Sequence, residues 1–267
     1  MRTVLPLVAA VALAVPAYAV EDSTTSAEIT RAPVEQPFLY MIDPHGPGAR
    51  QVLAGYALAF SSSSGAIRPI PGNFDNEGIV HQLSLEVGAT SFLRVYAQTL
   101  IAEAIGSATD VTGVAVELGA RVLLTPARWH IFHLMITGAF LREFGADLGA
   151  FGELTGTVDL GRVRIAAAMH IEHIFAPGRD AVDTYAVAGV SVRVHRVVRV
   201  GAEFVGQDLE AYADADDDDA EGGARFYAGP DLALSLRKDH LLLTGGVAVQ
   251  IANSPGVLAR AALTYVY

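Results

Sequence analysis

Twelve stretches of about ten residues between Gln51 and Tyr267 alternate apolar and polar side chains, and on nearly all of them the apolar face carries no charge. Alternation with a period of two places the apolar residues on one side of a strand, whereas a helix repeats every 3.6 residues. In the first stretch Val52, Ala54, Tyr56, Leu58 and Phe60 share a face. In the second, Ile79, His81, Leu83, Leu85 and Val87 oppose Gln82, Ser84 and Glu86. The pattern recurs through 93–101, 114–122, 132–140, 148–158, 163–171, 182–194, 198–204, 225–236, 240–251 and 256–267. A soluble sandwich places charges or prolines on its edge strands to block aggregation. Here every strand keeps an apolar stripe, as a surface surrounded by lipid demands, so the expected fold is all-β: a closed antiparallel transmembrane β-barrel of about twelve strands.

Two positions depart from the pattern. His81 lies on an apolar face, where the headgroup level suits it. Pro230 lies within the tenth strand, where its missing N–H predicts a bulge or a later strand start. Gly152, Gly156 and Gly245 thin the apolar faces.

The first residues read as an export signal. Arg2 supplies a positive region, Leu5–Val15 is an apolar run interrupted by Pro6, and Ala17-Tyr18-Ala19 is a small-x-small cleavage site. The run is shorter than the roughly 20 residues that cross a bilayer as a helix. The expected organisation is therefore a signal peptide over 1–19, a periplasmic segment or plug over 20–50, and the barrel over 51–267. Prolines at 33, 37, 44 and 47 favour irregular structure before the barrel, with Phe38–Ile42 as a short strand or a plug.

Composition agrees with export and with lipid contact. Hydrophobic residues make up 52% of the chain, so they either fill a large core or face lipid. There is no cysteine, hence no disulfide framework and no lipidated N-terminal cysteine. A net charge of -11, one unit more negative once Arg2 is lost with the signal, argues against nucleic acid or an anionic lipid surface as the main partner.

Connection lengths set the orientation. Turns near 88, 126, 160, 196 and 238 are tight, while those near 70, 106, 178, 217 and 254 are mostly longer, with a short one near 145. Short turns belong in the periplasm and long loops outside, so both termini fall in the periplasm. At the C-terminus, Ala261, Leu263, Tyr265 and Tyr267 form an apolar stripe ending on an aromatic residue. This resembles the C-terminal strand signal by which Gram-negative outer-membrane proteins are recognised for insertion, with Tyr in place of the commoner Phe. The resemblance implies an outer-membrane location, with membrane lipids and the barrel-assembly machinery as partners.

The function must then reside in the lumen and loops. Inward positions carry both signs of charge: Arg94, Glu117, Arg121, Glu153, Arg164, His170, Glu172, Asp183, Arg193, Arg199, Glu203, Asp231 and Arg260 are the candidate lumen-lining residues, beside Glu86 and Arg225. A barrel of about twelve strands falls between filled eight-stranded barrels and porins with an aqueous channel. Small inward residues, among them Gly113, Ala115, Gly119, Ala166, Ala168, Gly189, Gly201 and Gly229, leave space for a passage or relieve strand curvature. The favoured reading is a narrow pore for passive diffusion of small polar solutes. The alternatives are a structural or surface-interaction barrel and an outer-membrane lipid-modifying enzyme.

No catalytic, cofactor or metal residues are assigned. Glu172 stands two residues from His170 on the same face and can orient it as a base, but two ordinary lumen neighbours give the same spacing. No histidine is followed two residues later by serine, the arrangement of outer-membrane lipid hydrolases. The acidic run Asp214, Asp216–Asp219 and Glu221 lacks the ligand spacing of a calcium loop and reads as a solvated external loop.

Overall fold

Strand formation follows the alternation. In the computed structural model the described residues are 37, 38, 40, 41, 44–62, 78–105, 112–125, 129, 131–143, 148–175, 182–207, 209, 224–236, 240–251 and 255–267. The strands are β1 (Val52–Ser61), β2 (Gly78–Gly88), β3 (Leu93–Ala104), β4 (Thr112–Leu123), β5 (Phe132–Glu143), β6 (Leu148–Leu160), β7 (Val163–Ile174), β8 (Asp183–His195), β9 (Val198–Gln207), β10 (Arg225–Leu236), β11 (Leu241–Gln250) and β12 (Val257–Val266). Each pairs antiparallel with its chain neighbours, and β12 pairs with β1 to close the barrel. At that seam the Tyr267 amide donates to the Val52 carbonyl at 2.9 Å and the Val52 amide to the Tyr267 carbonyl at 3.4 Å. Closure removes both sheet edges, as a hydrocarbon environment without competing water requires.

The pleat sorts the side chains. Along β7, Arg164, Ala166, Ala168, His170, Glu172 and Ile174 are buried while Ile165, Met169 and Ile171 are exposed. Outside, Leu118 and Phe140, Cα partners on β4 and β5, are 59% and 71% exposed. An apolar surface of this kind running round all twelve strands is a lipid-facing surface. Glu103 and Arg142 are the charged residues on the outer face of the strands, and each is the penultimate residue of its strand at the same end of the barrel. Exposed aromatics gather toward both ends, with Phe92, Trp129, Phe132 and Tyr267 at one and Phe140, Phe175 and Phe204 at the other. Strands of ten to thirteen residues, tilted as in barrels generally, span an apolar band about 25 Å tall.

The two ends differ as the turn lengths imply. Gly161 and Arg162 alone join β6 to β7, with Gly161 at φ 67° as a two-residue hairpin requires at its first central position. His81 faces outward and its Nδ1 lies 2.8 Å from the Tyr56 hydroxyl. The expectation for Pro230 is corrected. Strand β10 runs through it without a bulge: Pro230 is paired with Ala202 of β9, and the register to β11 is the same on both sides of it. Between Ala228 and Asp231, the two residues Gly229 and Pro230 have no Cα partner in β11. A β-carbon on Gly229 would collide with the Val247 backbone, so the glycine permits a close strand approach beside the proline.

Candidate lumen site

The described residues up to Gly48 are buried or half-buried inside the barrel, whereas Ala49 and Arg50 are exposed. Phe38 and Met41 are buried in one apolar cluster with Val80, Leu100, Leu141, Ile174, Val187, Tyr227 and Leu258. All of these strand residues point inward in the half of the barrel nearer the long connections. The Tyr40 amide donates to Glu203 Oε1 at 3.2 Å, and burial pushes the Tyr40 phenol up from its ordinary pKa. Arg94 Nη2 donates to the Pro44 carbonyl, and His45 Nε2 lies 3.2 Å from Asp159 Oδ2. The chain then turns at Ala49–Arg50 into β1, with Arg50 at φ 66°, a left-handed conformation unusual for a residue with a β-carbon.

The half of the lumen nearer the short turns is charged. Arg121 pairs with Glu86, its guanidinium 3.8 Å from the Tyr96 ring centroid, and the Tyr96 hydroxyl donates to Glu117 Oε1 at 2.6 Å. Arg94 Nη1 stands 3.9 Å from Glu86 Oε1, which makes Glu86 the shared anion of two arginines. Arg164 grips Asp159 through Nε–H to Oδ1 at 2.7 Å and Nη2–H to Oδ2 at 3.2 Å. Arg260 donates to Gln82, which in turn donates to Gln98 at 2.6 Å. Fork-like pairs of this type fix the direction of the charged groups as well as their partners.

A third group surrounds His170, which is fully buried. Its ring lies between Phe151 and Tyr185, at centroid distances of 4.7 and 4.5 Å. Nδ1 is 3.5 Å from Glu153 and Nε2 is 3.7 Å from Glu172, too long for strong hydrogen bonds. Thr155 donates to Glu153 at 2.9 Å. No nucleophile is placed beside this histidine by these contacts.

Of the candidate residues, Arg94, Glu117, Arg121, Glu153, Arg164, His170, Glu172, Arg199, Glu203 and Asp231 are buried, while Asp183, Arg193 and Arg260 are half-buried. The structure brings Arg94 and Arg121 together around Glu86, Glu117 beside Arg121 through Tyr96, and Glu153 and Glu172 around His170. Asp183 and Arg193 stand at opposite ends of β8, and Arg199 donates to Ser191 at 3.2 Å. Neither carboxylate oxygen of Asp231 has a hydrogen-bond partner among the described residues.

Space left by some of the small inward residues is occupied. The Tyr96 ring and the Ala139 β-carbon fill the place of a side chain at Gly119, the Phe38 ring does so at Gly189, and the Asp231 carboxylate at Gly201. A cavity of about 150 Å³ lies at mid-lumen, lined by Tyr40, Gln82, Gln98, Glu117, Arg121, Glu153 and Arg260 together with the apolar Phe38, Met41 and Val205. It is large enough to hold several waters. The acidic run at 214–221 lies outside the described residues, as does the signal region.

Sequence reasoning offered Phe38–Ile42 as a short strand or a plug, but it named no contacts for Phe38 or Met41 and did not single out His45. The spacing of prolines marked that segment as irregular, and nothing in its local pattern indicates where an irregular segment docks.

The fold and its outward surface define an outer-membrane type β-barrel. No family model matches the sequence, and no curated protein matches it. Among solved structures, the chain is similar to the COG4313 outer membrane channel from Pseudomonas putida F1, with TM-score 0.58, 13% identity, and coverage of 85% of this chain and 100% of that one. The KdgM porin in complex with disordered oligogalacturonate gives TM-score 0.55 at 7% identity, covering 80% of this chain and 98% of that one. The translocator domain of the autotransporter NalP from Neisseria meningitidis gives 0.51 at 12% identity, over 83% of this chain and 90% of that one. At these identities the likeness is one of fold.

Proposed function

We propose that the protein is an outer-membrane channel for passive diffusion of small polar solutes, closed by its own residues 37–48. The observation that carries this reading is the polar cavity at mid-lumen, bounded by Phe38, Tyr40 and Met41 of that segment. A barrel serving only as a scaffold needs no polar cavity at its centre, since interior space of this kind is ordinarily filled. The segment is irregular, and its described residues contain no strand or helix. It is held to the wall at Tyr40, Pro44 and His45 by contacts with Glu203, Arg94 and Asp159 instead of a strand ladder, which suits an element that moves.

With the segment displaced, the charges along the lumen would select solutes by size and charge, and the apolar cluster of Leu100, Leu141, Val187, Tyr227 and Leu258 that the segment now covers would act as a constriction that wets or dries. The similarity to a porin and to another outer membrane channel supports this reading. Lipids and the assembly machinery that reads the C-terminal strand are the partners this assignment requires.

Swelling of proteoliposomes in isosmotic solutions of uncharged sugars of graded size tests the proposal. The account expects entry of the smallest sugars and exclusion of larger ones. Vesicles containing folded protein that admit none of them, before and after removal of residues 37–48, would contradict it.

A further inference from the structure

Three metal-ligating side chains meet where the N-terminal segment runs past the adjoining ends of β5 and β6. His45 belongs to that segment, His133 is the second residue of β5, and Asp159 is the penultimate residue of β6. These strands lie side by side with Phe132 opposite Val158, so their ends bring His133 and Asp159 together at the end of the barrel with the short turns. One ligand atom from each of the three residues lies within 4.8 Å of the other two. From this convergence we infer that His45, His133 and Asp159 form a binding site for a transition-metal ion of the zinc type, which fastens the segment to the barrel.

The spacing suits such an ion. Two ligands about 2.0–2.1 Å from a tetrahedral zinc stand about 3.3 Å apart. His45 Nε2 and Asp159 Oδ2 are already at 3.2 Å, and a ring nitrogen of His133 lies within 4.8 Å of both ligand atoms. The two imidazoles stand edge to face, with centroids 4.3 Å apart and planes at 70°, an arrangement in which the nitrogens of one ring can turn toward a shared point beside the other. Two imidazoles and one carboxylate favour zinc, cobalt, nickel or copper over calcium or magnesium, which take oxygen ligands.

Arg164 occupies the place of an outer-sphere partner. Its Nε holds Asp159 Oδ1 at 2.7 Å and its Nη2 reaches Oδ2 at 3.2 Å, which fixes the plane of the carboxylate while Oδ2 keeps a second lone pair for the ion. The same arginine brings a positive charge near the ion and lowers affinity relative to an isolated site of the same ligands. Three protein ligands leave a fourth position for water.

Because one ligand comes from the segment and two from the wall, an ion bound by all three favours the conformer in which the segment is docked. That consequence rests on the proposed reading of residues 37–48 as the closing element. The site itself does not.

Cobalt is the probe, since tetrahedral Co2+ absorbs strongly in the visible. Untagged full-length protein, refolded in detergent and checked for heat resistance, should bind one Co2+ per chain with a tetrahedral-type spectrum that Zn2+ displaces. His45→Ala, at an irregular position outside the strands, should lower Co2+ affinity at least tenfold while the barrel stays heat-resistant, and His133→Gln should do the same. Absence of Co2+ binding to the parent overturns the site, as does binding unchanged by both substitutions. A spectrum abolished by the substitutions establishes the site whatever the conductance. If conductance is then identical with and without metal, that result counts against the segment as a gate and not against the site.

Discussion

The Phe38 ring of the N-terminal segment packs onto Gly189 of β8 so closely that a β-carbon on the glycine would stand 2.7 Å from it. The absence of a side chain at Gly189 thus makes the seat for the segment's aromatic anchor. Gly189→Val should evict Phe38 while leaving the strand intact, because valine favours extended backbone. Planar-bilayer recordings should show more frequent or larger openings than in the parent.

The lipid-facing assignment makes a depth-dependent prediction. Leu118, at the middle of β4 and outward, should be costly to replace by arginine, at about 2–4 kcal/mol, whereas Leu160→Arg at the end of β6 should cost about 0–1 kcal/mol. Reversible denaturant unfolding of the two variants in lipid vesicles measures the difference. Equal costs at both positions would show that the outer face does not lie across a bilayer.

The lumen network makes another. Tyr96→Phe removes the 2.6 Å hydrogen bond to buried Glu117 but retains the ring beneath Arg121. A hydrogen bond to a charged group is worth about 1.5–3 kcal/mol, and the adjoining cavity lets water reach the orphaned carboxylate, so the loss should lie near the lower figure. Tyr96→Leu, which also removes the aromatic face from Arg121, should cost more in the same unfolding experiment.

Barrel architecture was legible in the sequence because a strand buried on one side writes its orientation into alternate residues. Ile165, Met169 and Ile171 against Arg164, His170 and Glu172 state both the strand and its inward face. The inward direction of the candidate charges followed from the same parity, but their partners did not. Arg121 meets Glu86, a residue two strands away, through a register that local pattern cannot supply. The metal-type cluster of His45, His133 and Asp159 was illegible for a related reason, since one member comes from a segment without periodicity. Pro230 misled because a proline removes one ladder donor, yet it lies on a stretch where β10 and β11 make no Cα pairing, so the missing donor costs the ladder little.

Single-channel conductance of the refolded full chain, compared with a variant lacking residues 37–48, tests the central claim most directly. The account predicts a parent that is mostly closed with brief small openings, and a variant with a steady, larger conductance that depends on the charge of the permeant ion. Two folded, heat-resistant barrels that both fail to conduct would contradict it, and so would two that conduct alike.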